Sequence, residues 1–113
     1  MRGICGKQYV VEADGSVYPC DFYVIDSCRL GNFCKDSVEQ IDQVRERIGF
    51  IKESQQKEIA CSNWKYEALC RGGCRRTRQA ERGHHQYFCR SYQMFFEACL
   101  PRMLEIAKRI SSV

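Results

Sequence analysis

The segment CSNWKYEALCRGGC, residues 61–74, places three cysteines within fourteen residues. Two of them, Cys70 and Cys74, flank the pair Gly72-Gly73. Glycine tolerates positive φ and close approach, so this pair allows the backbone to fold tightly around a small inorganic centre. Thiolates at such short spacings bind soft metals or iron–sulfur clusters. We therefore expect the fold to be organised around this segment and the centre that it binds.

Nine cysteines in a chain of 113 residues indicate a covalent or metal framework beside a modest hydrophobic core, and we expect one domain over residues 1–113. A disulfide scaffold predicts a secretory signal, but no apolar run of about seven residues follows Met1. An odd number of cysteines would also leave one thiol unpaired. The composition favours a metal or cluster site in a cytoplasmic protein, with disulfides and unligated core cysteines as alternatives.

Positive charge is concentrated after the cysteine-rich segment, in a chain of net charge +4, at Arg71, Arg75, Arg76, Arg78 and Arg82. These arginines form either a solvated face or a positive surface that supports thiolates or an acidic partner. Because no aromatic stripe interleaves with them, we expect no nucleic-acid partner. No stretch approaches the roughly 18 apolar residues of a membrane span, so no membrane partner is expected either.

A β-hairpin is predicted near the N-terminus. The β-rich runs 8–12 and 16–18 are separated by a short segment that contains Asp14-Gly15, and these two residues accept the positive φ of a type I′ turn. Such a hairpin would bring Cys5 and Cys20, at the outer ends of its arms, into one neighbourhood. The apolar run 21–25 follows as a short strand or extended segment packed on the hairpin.

The first helix is predicted by a capping box, Ser37 with Gln40, and by apolar residues at helical spacing over 38–51. Gly49 is expected to kink or split it, and Arg45 is expected on its solvated face. A second helix is predicted from Gln86 onward. Its aromatic stripe is expected to pack in the core, with Cys99 buried on the same face and Pro101 as a kink or restart.

These elements together predict a small, cysteine-rich α+β fold, with an N-terminal β-hairpin, metal- or cluster-binding loops and two to four α-helices. The chain resembles the SPASM domain, the C-terminal auxiliary-cluster domain of radical S-adenosylmethionine (SAM) enzymes, and most closely that of anaerobic sulfatase-maturating enzymes. The residues that carry the resemblance span nearly the whole chain: Cys5, Gly15 and Cys20 in the first half, Cys61, Cys70, Cys74 and Cys89 in the second, and the words YPCDFY at 18–23, LGN at 30–32 and CRGGCRR at 70–76.

The resemblance implies two 4Fe–4S clusters with interleaved ligands. The first cluster would be bound by Cys5, Cys20, Cys74 and one cysteine further upstream. The second would be bound by Cys61, the residue at position 64, Cys70 and Cys89. The implied activity is oxidation of a sulfatase cysteine or serine to formylglycine, initiated by the 5′-deoxyadenosyl radical, with the clusters serving electron transfer and substrate docking.

The resemblance also implies roles for Asp21 and for several partners. Asp21 follows the Pro-Cys pair, which is the family position of the proposed proton acceptor; a hydrogen-bonded structural acid is the alternative reading. The implied partners are an N-terminal radical SAM barrel, a sulfatase-like protein or peptide substrate, and an electron donor such as ferredoxin or flavodoxin. The Cys-three-Cys-two-Cys motif that binds SAM is absent from these 113 residues, so this chain alone is not expected to perform radical chemistry.

Two positions depart from the family pattern. Position 64 is Trp64, and indole does not ligate iron or zinc; the upstream cysteine of the first site precedes Met1. Each site therefore keeps three of its four expected thiolates. The substitutes in this chain are Cys28 and Cys34, and also His84, His85 and Cys99. A zinc-stabilised interaction module without a redox role is the alternative function, because Zn²⁺ accepts three cysteines completed by histidine, water or another thiol.

Overall fold

The computed structural model describes residues 2–79 and 83–112, and it combines short antiparallel strands with four α-helices. The predicted α+β class, with its N-terminal hairpin, is confirmed. The described residues divide into two compact units. The hairpin unit contains residues 2–56 and 74–76, and the helical unit contains residues 57–73 and those from 77 onward. The prediction of a single domain stays a prediction.

The N-terminal hairpin consists of β1 (Val10–Val11) and β2 (Ser16–Tyr18), paired antiparallel. Its turn is not the predicted type I′, which requires positive φ at two consecutive residues. Only Gly15, with φ of +83°, has it within this loop. The Glu12 carbonyl accepts from the Gly15 N–H at 2.9 Å, and the Glu12 N–H donates to Ser16 at 2.9 Å. This is the bonding of a three-residue loop that ends in a glycine bulge.

A third strand, β3 (Gly31–Asn32), pairs with β2 and was not expected from the sequence. Asn32 is buried and fastens the hairpin turn. Its Nδ2 donates to the Asp14 carbonyl at 2.9 Å, its Oδ1 accepts from the Cys34 N–H at 2.8 Å, and its own N–H donates to an Asp36 carboxylate oxygen at 2.8 Å. Between β2 and β3 the chain forms two 3₁₀ turns, Asp21–Tyr23 and Asp26–Cys28, so the expected extended segment is wrong.

The first predicted helix is split as expected into α1 (Val38–Arg47) and α2 (Phe50–Glu53), with Gly49 left-handed between them. Both bonds of the capping box form: Gln40 N–H to Ser37 Oγ at 3.2 Å, and Ser37 N–H to Gln40 Oε1 at 2.7 Å. The core of the hairpin unit is built where this helix meets the sheet, from Val17, Leu30 and Ile41.

Arg45 was expected in solvent, and that expectation is wrong, because its side chain is only 2% exposed. Its Nη1 donates to an Asp42 carboxylate oxygen at 2.6 Å, and its Nη2 donates to the Gln8 carbonyl. The guanidinium also lies 4.6 Å from the ring centroid of Tyr9. A long basic side chain on the edge of the apolar face is therefore drawn inward by local hydrogen-bond partners.

The helical unit contains α3 (Glu67–Cys70), the ribbon of β4 (Arg78–Gln79) and β5 (His85–Gln86), and α4 (Cys89–Ser111). The second predicted helix begins three residues late because β5 occupies its expected start. It runs through Pro101 without ending. Its aromatic stripe is not core: no described residue of α4 is buried, Phe95 is 51% exposed, and Cys99 is half-buried. At 23 residues α4 is roughly 34 Å long, far more than the two-residue strands and four-residue helix of this unit can cover.

We expect Gly15→Ala to destabilise the hairpin unit by about 1–3 kcal/mol, since a side chain is strained at this positive φ. A Cβ there would also lie 2.8 Å from both Asn32 Oδ1 and Cys34 Sγ. Urea unfolding measures the loss. The matched control is Gly6→Ala, because a Cβ at Gly6 meets no atom within 4 Å. Equal unfolding midpoints for the two variants would contradict the structural role of Gly15.

Candidate cluster-binding site

Three of the predicted ligands, Cys5, Cys20 and Cys74, lie together in the hairpin unit and are called the hairpin triad below. The Cys5 N–H donates to Ser54 Oγ, a fully buried hydroxyl, at 2.8 Å. Cys20 directly precedes a 3₁₀ turn. Burial raises the pKa of the Cys20 thiol, and the charge of Cys5 adds to the rise. The hairpin topology predicts that its two outer cysteines lie in one neighbourhood, and the effect of Cys5 on the pKa of Cys20 agrees with that prediction.

Tyr23 connects Cys74 to this group. Burial raises the pKa of Tyr23, and the thiols of Cys5 and Cys74 add to the rise. Arg75 and Arg76 act in the opposite direction on the same hydroxyl. All of these charged groups therefore lie near one phenol ring, which itself packs edge-on against Phe50, with centroids 5.1 Å apart.

Arg75 is held in place rather than solvated. It donates to the Phe50 carbonyl at 2.9 Å and to a Glu53 carboxylate oxygen at 2.6 Å, and its guanidinium lies 4.7 Å from the Phe50 centroid. Arg75 is therefore not part of a freely solvated face, whereas support of thiolates by this segment stays a prediction. Arg76 is exposed, 5.5 Å from the Tyr23 centroid, and Arg82 lies outside the described residues.

The other three predicted ligands, Cys61, Cys70 and Cys89, lie in the helical unit and are called the helical triad. Cys61 lies in the 3₁₀ turn Ile59–Asn63, Cys70 ends α3, and Cys89 begins α4. Burial raises the pKa of Cys61 and of Cys89. The charge of Cys89 and of Cys70 raises the pKa of Cys61 further, and that of Cys70 raises the pKa of Cys89. A 3₁₀ turn, the end of α3 and the start of α4 thus bring the three thiols near enough for the charge of one to affect the pKa of another.

The chain passes between the two units at Gly72-Gly73. Gly73 is the last residue of its segment of the helical unit, and Cys74 belongs to the hairpin unit. The residues from Arg71 to Gly73 have φ of +53°, +77° and +65°. A Cβ on Gly73 would lie 2.3 Å from Gln86 Nε2, whose amide donates to the Gly72 carbonyl at 2.8 Å. Both the positive φ and the close approach predicted for this pair are present.

Trp64, at the family's ligand position, is held by aromatic packing. Its ring meets Tyr66 edge-on at 5.3 Å and lies 6.1 Å from Phe96. Tyr66 and Phe96 complete the cluster at 5.9 Å. The Trp64 N–H donates to the Cys61 carbonyl at 3.3 Å, so the backbone keeps a turn here although the side chain has no ligand atom.

Asp21 is exposed and opens the 3₁₀ turn after Cys20. The Cys20 thiol donates to Asp21 Oδ1 at 3.2 Å. The carboxylate therefore lies directly beside the hairpin triad. It makes a hydrogen bond, as the structural reading requires, and it is exposed, as a proton acceptor must be.

The predicted substitute ligands are scattered. Cys34 lies at the turn end of the hairpin, near Gly15, whereas Cys20 follows its open end. Cys99 lies ten residues beyond Cys89 on α4, or about 15 Å along the helix axis. Cys28 ends its own 3₁₀ turn, and His84 has a φ of +63°. Only His85 pairs with a group near a triad.

That group is Glu58, which the sequence analysis missed. Its Oε2 lies 2.6 Å from His85 Nδ1, and its charge raises the pKa of both Cys61 and Cys89. The one sequence signal for it is its position three residues before Cys61. In the structure the Glu58 carbonyl accepts from the Cys61 N–H at 3.0 Å.

The two triads fit an iron–sulfur centre by their donor type, because thiolates are its characteristic ligands and a cationic core would relieve their repulsion. Within residues 2–79 and 83–112, no group of three or more His, Cys, Asp or Glu side chains is arranged to hold a single metal ion. In the same ranges, no helix is long and apolar enough to cross a membrane.

Comparison with known proteins agrees with these features. The SPASM family, described as an iron–sulfur cluster-binding domain, matches residues 4–91. A cysteine-type anaerobic sulfatase-maturating enzyme of Clostridium perfringens (strain 13 / Type A) is 42% identical over 113 residues, which are 97% of this chain and 30% of that enzyme. The chain therefore spans about a third of the length of the curated relatives it matches.

Solved structures give the same result. The chain matches native anSMEcpe with bound AdoMet at a TM-score of 0.88 and 42% identity, over 97% of this chain and 31% of that one. It matches native anSMEcpe with bound AdoMet and Kp18Cys peptide at a TM-score of 0.86, also at 42% identity, over 96% and 31%.

We predict that the metal-free chain loses stability as pH rises above about 9. The thiols of Cys20, Cys61 and Cys89 have folded-state pKa values above the ordinary 9.0. The unfolded chain therefore ionises first, so their contribution is complete below pH 9 and is lost above it. Urea unfolding from pH 7 to 10 measures this. Cys61→Ser should flatten the decline, with exposed Cys34→Ser as control; an equally steep decline in Cys61→Ser would contradict the prediction.

Proposed function

Since the chain belongs to the SPASM family of iron–sulfur cluster-binding domains, we propose that it binds two 4Fe–4S clusters and serves a radical SAM enzyme that oxidises a sulfatase cysteine or serine to formylglycine. The hairpin triad would hold one cluster and the helical triad the other. Bound clusters supply one-electron acceptors near the reacting residue. The residues of this chain hold them, shape the surrounding surface and move a proton.

The observation that carries this proposal is the division of the six cysteines. The sequence interleaves them, since Cys74 follows Cys70 directly across the glycine pair. In the fold, Cys5, Cys20 and Cys74 belong to the hairpin unit, and Cys61, Cys70 and Cys89 belong to the helical unit. Beyond the effect of burial, Cys5 raises the pKa of Cys20 within the hairpin unit, and Cys70 raises the pKa of both Cys61 and Cys89 within the helical unit. A single zinc-type centre would draw Cys61, Cys70 and Cys74 into one site. Separation by unit instead supports two centres.

Asp21 is the proposed proton acceptor. In the metal-free chain its Oδ1 accepts from the Cys20 thiol. When Cys20 is a metal-bound thiolate it has no proton to donate, so this hydrogen bond is lost and the exposed carboxylate becomes available to a substrate. The proton that leaves the substrate's thiol or hydroxyl group would pass to this oxygen. The same residue is thus a structural acid without metal and a base with it.

The proposed partners follow from the family. They are a radical SAM barrel, a sulfatase-like protein or peptide substrate, and a ferredoxin or flavodoxin as electron donor. The structure of a relative with bound peptide supports the substrate class. Apolar side chains along α4 are exposed and so are available to a protein partner; Met94, Leu104 and Ile110 are 63%, 53% and 71% exposed.

Anaerobic reconstitution with iron and sulfide tests the cluster proposal. We expect the parent chain to bind iron and sulfide for about two clusters. Cys70→Ala and Cys74→Ala should each lose about half, because each removes one ligand from a different triad. Cys34→Ala is the control and should bind as much iron as the parent. Iron near zero with stoichiometric zinc would instead establish the zinc-stabilised interaction module.

We also predict that Asp21→Asn lowers turnover by about 100-fold or more in an enzyme reassembled with a radical SAM barrel, as expected for loss of a general base. Its iron content should equal that of the parent, because Asp21 is not a ligand. Asp26→Asn, at the equivalent position of the next 3₁₀ turn, is the matched control. Full turnover of Asp21→Asn would remove Asp21 from the reaction.

A further inference from the structure

Cys5 receives a hydrogen-bond partner from a residue 49 positions further along the chain. Its backbone N–H donates to Ser54 Oγ at 2.8 Å, in a partly buried contact. Cys5 lies in the segment before β1, where the described residues have no helix or strand. No regular secondary structure therefore fixes the backbone of this proposed ligand, and the Ser54 hydroxyl holds it instead.

Ser54 is itself held firmly. It directly follows α2, it is 0% exposed, and its Oγ donates to the Ile51 carbonyl at 2.5 Å. Its N–H donates to the same carbonyl at 3.1 Å. A hydroxyl has one proton and two acceptor positions, so the bond to Ile51 uses the proton and the oxygen remains free to accept from Cys5. The hydroxyl thus links the N-terminal segment to the end of α2.

The same short helix contacts the segments that carry the other two cysteines of the hairpin triad. Arg75, the residue after Cys74, donates to the Phe50 carbonyl at 2.9 Å. Tyr23 ends the 3₁₀ turn that follows Cys20, and its ring packs edge-on against the Phe50 ring with centroids 5.1 Å apart. Both contacts lie one or more residues away from the cysteine, whereas the serine bond reaches the cysteine residue itself.

We propose that Ser54 is the positioning residue of Cys5 in the centre that the hairpin triad binds. The inference rests on the proposed function, because it concerns a ligand of one of the two proposed clusters. The hydrogen bond fixes the backbone of Cys5 and leaves its side chain free to turn toward a metal. Residues that orient a metal ligand in this way strengthen the binding of the metal.

The bond to Ser54 has a second consequence, for the reduction potential of the bound cluster. Hydrogen bonds to the sulfur atoms of a cluster are one of the factors that set this potential. While the Cys5 N–H donates to Ser54, it is not available to those sulfur atoms. An N–H released from Ser54 stabilises the added negative charge of a reduced cluster. Loss of the hydroxyl should therefore change the potential, which a role in folding alone would not do.

Amide hydrogen exchange in the metal-free chain tests the hydrogen bond itself. Ser54→Ala removes the acceptor, so we expect the Cys5 N–H to exchange roughly 10-fold faster than in the parent. The Leu30 N–H, which donates to the Val17 carbonyl at 2.8 Å, is the internal reference and should exchange at the parent rate. Ser54→Thr keeps the hydroxyl and should restore slow exchange at Cys5. Equal exchange of Cys5 in the parent and Ser54→Ala overturns the proposal.

The full chain, reconstituted anaerobically with iron and sulfide, tests the positioning role. In Ser54→Ala we expect one of the two clusters to release iron to a chelator roughly 10-fold faster. An EPR-monitored redox titration should show the midpoint potential of that cluster at a more positive value and the other unchanged. Ser54→Ala combined with Cys70→Ala should retain the shifted cluster alone, which assigns the shift to the hairpin unit. Ser112→Ala is the matched control, because its hydroxyl donates to the Lys108 carbonyl at 2.8 Å at the exposed end of α4.

The outcomes separate this inference from the proposed function. If the parent binds two clusters and Ser54→Ala matches it in iron release and in both potentials, Ser54 is not the positioning residue of Cys5. If the parent binds no cluster, the proposed function fails and this inference fails with it. Should Ser54→Ala not fold, Ser54→Cys decides, because a thiol accepts hydrogen bonds only weakly. Exchange of the Cys5 N–H at the parent rate in that variant overturns the proposal.

Discussion

The burial of closely placed cysteine thiols is the constraint on which the rest of this structure depends. Burial and neighbouring charge raise the pKa values of Cys20, Cys61 and Cys89, so their thiolate forms are disfavoured unless a positive group compensates them. The two units differ in how much buried hydrophobic core surrounds their cysteines. All buried hydrophobic residues of the described chain are in the hairpin unit: Val17, Tyr18, Leu30, Ile41 and Phe50. The described part of the helical unit has none, and the contacts that order it include the aromatic pairs of Trp64, Tyr66 and Phe96.

The glycine pair allows one loop to serve both units. A single tetrahedral metal site would take Cys70 and Cys74 as ligands together. Instead, the backbone is left-handed from Arg71 to Gly73 and turns the chain after Cys70. Gln86 fills the space where the Gly73 side chain would be and donates to the Gly72 carbonyl. The loop therefore closes against β5 before Cys74 begins the other unit. The change of unit between Cys70 and Cys74 accompanies this backbone conformation, and its sequence signal is the pair Gly72-Gly73.

Features set by local physics were predictable from the sequence. The hairpin, the Ser37–Gln40 capping box and the helix break at Gly49 depend on residues within a few positions of one another. Features set by distant residues were not. The hairpin turn is fastened by Asn32, eighteen positions after Asp14, and this bond holds a loop that the local Asp-Gly signal assigned to type I′. The helical pattern predicts Arg45 on the surface, because its hydrogen-bond acceptor, the Gln8 carbonyl, is thirty-seven positions away in the sequence.

The same distinction explains the candidate site. The cysteine spacing predicts the members of each triad, because a family pattern records which positions return to one place. It cannot predict the contact between Glu58 and His85, because these two residues are twenty-seven positions apart in the sequence. Trp64 departs from the family pattern at the position where a fourth ligand is expected. Its ring packs with Tyr66 and Phe96, and its N–H donates to the Cys61 carbonyl, so the turn that carries Cys61 keeps its hydrogen bond without a ligand atom at position 64. In a unit whose described residues include no buried hydrophobic side chain, this aromatic packing orders the turn at the place where a ligand would otherwise do so.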